Sequence, residues 1–239
     1  PPLEEAEGGF LNLLLVPSGV VRAVLFDLDG TLINRLPTLL AYLPKQFLSY
    51  APPARHDETV SYVRRFLELD ADGYGNKESL YETLTSEFGL QAGVDELLQD
   101  FRSNAFDEVF LFPDALDVLT ELRRLGYVLG IVSNGSAQSQ RKKISVADLA
   151  RHVEVVLISG VVGLRKPDSA IFHRAAGELS VMPEACLFVG DDPERDILGA
   201  AAAGMRTAWL THGRSWPVAL RPEPSLALRT LGELLQASF

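Results

Sequence analysis

The chain has 239 residues, 47% hydrophobic and 23% charged, the balance of a globular protein with a real core: one large domain, or a core with an insert. Against 22 basic residues stand 32 acidic ones, for a formal charge of −10; this argues against nucleic acid or an anionic membrane as partner, since both require a basic face. One cysteine, Cys186, excludes a disulfide framework and a multi-cysteine zinc site and suits a reducing, cytoplasmic setting, and no run of 18 apolar residues marks a membrane span.

Residues 1–18 read as a loose leader: the segment Phe10–Val16 is apolar but short, and Glu4, Glu5 and Glu7 stand where a signal peptide would be positive. Val20–Leu28 is a nearly continuous apolar run, as in a strand buried on both faces of a parallel sheet, and it ends in Asp27-Leu28-Asp29-Gly30-Thr31. Residues 33–112 then carry helical patterns at Leu36–Tyr50, Asp57–Leu69, Lys77–Phe88 and Val94–Phe106, punctuated by Pro52-Pro53, Gly73-Tyr74-Gly75 and Gly89. This stretch is expected to be an all-helical insert, leaving residues 1–32 and 113–239 as an α/β core.

Beyond Pro113, Asp114 is expected to cap a helix whose Leu116, Leu119 and Leu122 share a face and which Gly126 closes. Strand-like runs follow at Val128–Val132, Val153–Ile158, Cys186–Val189 and Thr207–Leu210, with helices over Ile171–Leu179 and Ile197–Ala203 and a last amphipathic helix over Leu226–Leu235. Strands alternating with helices predict a doubly wound, mostly parallel, Rossmann-like sheet. In such a sheet, ligands sit beyond the carboxyl ends of the strands. Asp27 and Asp29, Ser133, Lys166 and Asp191 all fall at or after strand ends, so five polar groups spread over more than 160 positions converge on one edge.

Two carboxylates one residue apart repel each other unless a cation or a proton intervenes, and Asp191 brings a third with Asp192 beside it. Oxygen-only donors suit Mg²⁺ better than zinc or copper, and Mg²⁺ commonly shares its shell with substrate phosphate. Gly30 permits a sharp turn that exposes backbone N–H groups, Ser133-Asn134-Gly135 adds a hydroxyl and an amide, and Lys166 a fixed positive charge. Asp27 can then attack phosphorus to give an aspartyl-phosphate, while Asp29 protonates the leaving alcohol and later takes a proton from water. Taken singly, the motifs have plainer readings. DxDGT can be an ordinary turn, Ser133-Asn134-Gly135 a loop, Lys166-Pro167 a solvated turn, and Asp191, Asp192 and Asp196 a turn with a helix cap. Their order, each at a strand end, favours a site.

Gly-x-Ser-x-Gly, His-Glu-x-x-His and Gly-x-Gly-x-x-Gly are absent, and Gly160–Lys166 lacks the Gly-Lys-Ser/Thr of a phosphate loop. His56, His152, His173 and His212 are scattered and read as surface or locally bonded residues, and Cys186 as packing.

AVLFDLDGTL, IVSNG, GLRKPD and VGDDPERDILGAAAAG resemble the four ordered motifs of the haloacid dehalogenase superfamily in its phosphatase branch, over roughly residues 20–212, with the insert placed as in members carrying a class I helical cap. The resemblance implies a nucleophile and metal ligand at Asp27 and a general acid/base at Asp29, whose backbone carbonyl also reaches Mg²⁺. It implies a third protein ligand at Asp191 and a phosphate clamp at Ser133 and the Asn134 backbone. Lys166 would steady the nucleophile and the phosphoryl group, with Asp196 orienting that lysine. Asp192 stands where the family often carries Ser or Thr and stays unassigned. Asp29 argues against hydrolytic dehalogenation, which needs no acid there.

The implied activity is Mg²⁺-dependent hydrolysis of a small phosphorylated metabolite, the tail DILGAAAAGMRTAWL being similar to phosphatases of nucleotides or sugar phosphates. A phosphomutase of the same fold and a catalytically silent regulatory member are the alternatives, and the motifs do not separate phosphatase from mutase. Arg64, Arg65 and Lys77 are candidates for a second anionic group, although such positions are more often solvated, and Asp70–Lys77 is a loop that can face the site. Oligomeric state is not legible.

Overall fold

The computed structural model describes residues 20–237 and 239; the leader expected over residues 1–18 lies outside the described residues. Helices α1 (Arg35–Tyr50), α2 (Thr59–Asp70), α3 (Lys77–Phe88) and α4 (Val94–Asn104) follow strand β1 (Ala23–Phe26). After them α5 (Ala115–Arg124), α6 (Ala137–Val146), α7 (Ser159–Val162), α8 (Ser169–Glu178) and α9 (Gly199–Ala202) alternate with β2 (Val128–Ser133), β3 (Val155–Ile158), β4 (Cys186–Gly190), β5 (Arg206–Leu210) and β6 (Leu226–Leu228). The strands form one parallel sheet in the order β3-β2-β1-β4-β5-β6.

A parallel strand covered on both faces needs apolar side chains at every position. Val24 and Phe26 pack into one layer with Leu129, Ile131 and Leu119, and Ala23 and Leu25 into the other with Phe188, Phe172 and Ala175. Phe26 pairs with Ile131 on one side and Val189 on the other, so β1 is central and its carboxyl end lies between those of β2 and β4. Here the winding of the sheet reverses, which places the ligand crevice beside Asp27.

Helices α1–α4 bury their apolar faces against one another around Phe47, Tyr62, Phe66, Tyr81, Leu84 and Phe101, a core separate from the two beside the sheet. Phe66 and Phe101 stack with centroids 5.8 Å apart. The chain enters and leaves this helical layer side by side: Asn34 N–H donates to Phe110 O (2.8 Å) and Phe112 N–H to Leu32 O (2.9 Å).

Three elements differ from expectation. Leu226–Leu235 is not one helix: Leu226–Leu228 extends the sheet as β6, and a 3₁₀ helix, Leu231–Gln236, follows. Pairing with the edge of β5 satisfies the backbone of Leu226–Leu228, while Leu231 and Leu234 are buried against the first core layer. Residues 137–146, with no apolar period, form α6, capped by the Ser136 hydroxyl accepting from Ser139 N–H (3.2 Å). Asp114 does not cap α5 with its side chain, which instead accepts from Gly232 N–H (2.6 Å) and ties the C-terminal segment down.

Candidate active site

Asp27 follows β1 directly, and its N–H donates to Val189 O (2.9 Å), which holds the first residue beyond the strand in register with β4. Lys166, from the connection after β3, is buried and places its ammonium 2.5 Å from Asp27 Oδ1 and 2.7 Å from Asp196 Oδ1. Asn134 clasps the lysine from behind: Lys166 N–H donates to Asn134 Oδ1 and Asn134 Nδ2 to Lys166 O, each at 2.9 Å. The Asn134 side chain is therefore committed to holding Lys166, which leaves its backbone for any phosphate.

Oxygens of Asp27, Asp191 and Asp196 lie within 4.8 Å of one another. The backbone at two glycines makes room for them. A Cβ on Gly190 would meet Asp196 at 2.4 Å, and one on Gly30, whose φ is +86°, would meet the Asp191 carboxylate at 2.8 Å. Burial raises the Asp27 carboxyl to about 7, with Asp196 and Asp29 adding repulsion and Lys166 offsetting part of it. Burial and the charge of Asp27 raise Asp191 likewise to about 7, although Arg214 donates to its Oδ2 (3.2 Å) and to its backbone oxygen (2.6 Å). Burial holds Asp196 high as well, partly countered by Lys166.

The cluster is thus short of positive charge and offers only oxygen donors, the chemistry that a hard divalent cation fits. Asp196 has its oxygens occupied by Lys166 and by Asp192 N–H (3.1 Å), which leaves Asp27 and Asp191 as the carboxylates open to an ion. The Asp29 carboxylate stands apart from the cluster, in keeping with the expectation that only its backbone carbonyl would reach a metal. Its side chain turns to α6, where Lys143 reaches both oxygens (2.8 and 2.7 Å) and Gln140 Nε2 donates to Oδ2 (2.8 Å). Burial works against the Asp29 charge, but Lys143 and Arg35 outweigh it and hold the carboxyl below its usual range. Ser133, buried at the end of β2, accepts from Gln140 Nε2 (2.6 Å).

A cavity of about 300 Å³ opens over these residues and is roofed by Arg35, Asp72, Tyr74, Lys77, Phe101 and Phe106. The stretch Asp70–Lys77 faces the site as expected. Tyr74 O–H donates to Asp192 Oδ2 (2.9 Å), and the Arg195 guanidinium lies 3.7 Å over the Tyr74 ring. Asp192 also accepts from Glu194 and Arg195 N–H, opening a π-helical turn, Pro193–Leu198. It serves as a cap and a contact to the roof. Lys77 lines the cavity with its ammonium on Asp70 (2.7 Å), which Arg35 also grips (2.6 Å). Arg65 pairs with Glu87 and Glu68 away from the cavity, and Arg64 is exposed.

Sequence reasoning missed Gln140, Lys143, Tyr74, Arg195 and Arg214. The polar face of α6 carried a signal, a glutamine and a lysine three residues apart directly after the β2 turn; the other three are legible only in space. His212 donates from Nε2 to Gly30 O (2.6 Å), a contact across 182 positions rather than a local one, and Cys186 is buried in β4, its thiol raised by burial to about 11.

The haloacid dehalogenase-like hydrolase pattern matches residues 21–204. The chain belongs to that family. It is 41% identical to a phosphoserine phosphatase of Thermus thermophilus, over 91% of this chain and 99% of the relative. A phosphoglycolate phosphatase of Pseudomonas aeruginosa is 30% identical over 90% and 78% of the two chains. In fold, the HAD-hydrolase YfnB from Bacillus subtilis bound to magnesium superposes with a TM-score of 0.76 at 24% identity, covering 91% of this chain and 98% of that one. This family member is a hydrolase of phosphoric monoesters. Among the described residues no helix is long and apolar enough to cross a membrane.

Proposed function

We propose that the chain is a Mg²⁺-dependent phosphatase working through an aspartyl-phosphate on Asp27. The observation that carries this reading is the pairing of Lys166 with one oxygen of Asp27 beside Asp191. Oδ1 is held by Lys166 at 2.5 Å, whereas Oδ2 has only a long contact from the Thr31 hydroxyl at 3.4 Å. One oxygen is anchored and the other is available as nucleophile.

Asp27, Asp191 and the Asp29 backbone carbonyl would hold the magnesium ion, which when bound neutralises phosphate charge and keeps Asp27 ionised. Ser133 and the Asn134 N–H would hold the phosphoryl oxygens, with Lys166 balancing their charge. Asp27 attacks phosphorus in line and the ester oxygen leaves with a proton from Asp29. Water then attacks the aspartyl-phosphate, Asp29 takes its proton, and phosphate departs. The two halves share one carboxyl in opposite protonation states.

We further propose that residues 33–112 act as a cap domain over a core of residues 1–32 and 113–239. The two chain crossings side by side at Leu32–Asn34 and Phe110–Phe112 support a hinge there, and closure would exclude water during the first half. A cavity of about 300 Å³ suits a small ester, and the named activities of the two relatives, on phosphoserine and phosphoglycolate, make phosphorylated small acids the first class to test before sugar phosphates and nucleotides.

The test is hydrolysis of such a panel with and without Mg²⁺, in wild type and Asp27→Asn. Loss of activity and of the acid-trapped phosphoenzyme in the variant is expected. Retained metal-dependent hydrolysis would overturn the mechanism.

A further inference from the structure

Gln140 and Lys143 sit on one face of α6 and are 2% and 4% exposed. Long polar side chains are seldom buried unless every polar atom is paired. Here the pairing runs into the site. A single amide nitrogen, Gln140 Nε2, bridges Ser133 Oγ (2.6 Å) and Asp29 Oδ2 (2.8 Å), and Gln140 Oε1 accepts from Lys143 Nζ (2.9 Å). Lys143 Nζ in turn reaches both oxygens of Asp29, and its ammonium lies 4.3 Å over the ring of Phe106 in the cavity wall.

Structural need alone does not account for this layout. A buried ion pair is a weak source of stability, and an apolar pair would fill the same face of α6. What the layout does accomplish is geometric. Contacts to both oxygens set the plane of the Asp29 carboxyl, and the shared amide nitrogen sets its distance from Ser133. Oδ2 carries two partners and Oδ1 only one, so Oδ1 is the oxygen left to meet a substrate.

We infer that Gln140 and Lys143 are positioning residues for phosphoryl transfer, holding the Asp29 carboxyl at a set orientation and distance from a phosphate bound at Ser133. The inference rests on the proposed phosphatase mechanism. In the step concerned, the ester P–O bond breaks as the bond from Asp27 to phosphorus forms. The proton that ends on the departing alcohol passes through Asp29, which takes it from bulk water or from the monoanionic ester and is left ionised.

A misplaced acid costs most when the leaving group is poor. The value of kcat/KM reports the reaction only through departure of the alcohol, so it isolates this step from the later attack of water. The experiment measures kcat/KM across esters from p-nitrophenyl phosphate to simple alkyl phosphates, for wild type, Lys143→Met, Gln140→Met, Lys143→Arg and Asp29→Asn. Lys143→Met and Gln140→Met are expected to lose roughly 10²-fold on the alkyl esters but about tenfold or less on p-nitrophenyl phosphate, within the span of general acid catalysis. Lys143→Arg should recover part of the alkyl activity, and adding Lys143→Met to Asp29→Asn should leave the split as Asp29→Asn alone sets it.

Equal losses across all esters would overturn the inference, since they would mark a packing role or a direct phosphate contact. Should Lys143→Met fail to fold, Gln140→Met, which removes no charge, carries the same test. Asp27→Asn separates the two levels: if it stays active, the mechanism itself falls. If it is inactive while the losses are uniform, only the positioning role falls.

Discussion

Supplying or withholding Mg²⁺ gives the most direct physical test of the carboxylate cluster as the proposed metal site. Burial, with repulsion from Asp196 and Asp29 on Asp27 and from Asp27 on Asp191, raises both carboxyls from 3.8 to about 7. A shift of about three pH units corresponds to roughly 4 kcal/mol for one such group, and because the Asp191 shift is partly caused by the charge of Asp27, the pair is not worth twice that. The sign follows from proton counts. Below about pH 4 both folded and unfolded chains hold these protons. Between about pH 4 and 7 the unfolded chain releases them while the folded site keeps them, so the metal-free protein loses stability as pH rises, and the loss levels off above about 7.

A divalent cation replaces the protons and should restore the loss only where they have been shed. At 2–4 °C per kcal/mol for a chain of this length, saturating MgCl₂ should raise the thermal midpoint by roughly 8–16 °C at pH 8 and by little at pH 5. Asp29 and Asp192, whose carboxyls are held below the usual range, titrate beneath this window, and the comparison that isolates the cluster is with Asp191→Asn. That variant should be more stable than wild type at pH 8 without metal and should respond little to magnesium. Differential scanning fluorimetry across pH reads both. An equal magnesium shift at pH 5 and 8, or an Asp191→Asn profile matching wild type, would refute the electrostatic account.

Two further outcomes follow from close contacts. Gly30→Ala puts a methyl 2.8 Å from the Asp191 carboxylate at a φ of +86°; a loss of about 1–3 kcal/mol is expected together with weaker magnesium binding, checked by thermal denaturation and by titration of the ion. Tyr74→Phe removes the 2.9 Å hydrogen bond to Asp192 but keeps the ring under Arg195, so KM should rise several-fold, as expected for a bond worth about 1 kcal/mol, with kcat little changed; steady-state kinetics showing no change in KM would dismiss the roof contact.

Much of this molecule is readable in one dimension because its signals are local. A strand buried on both faces must be apolar throughout, so AVLF and CLFV declare the parallel sheet, and Asp27, Asp191 and Ser133 stand at strand ends simply by following those runs. Helices α1–α4 announce themselves through apolar periodicity because each buries one stripe. Where that rule fails, so does the reading. The buried face of α6 is polar, Gln140 and Lys143 being paid for by partners in Asp29 and Ser133 that no local pattern reveals, and Leu226–Leu228 becomes a strand only because β5 offers an open edge. The direction of the Asp29 side chain, the pairing of Lys166 with Asp27, and the contact of Tyr74 with Asp192 join residues between 111 and 139 positions apart. The chain's composition and periodicity determined which elements form; electrostatic pairing across such distances exists only once those elements pack, and it is what decided how the charged groups face one another.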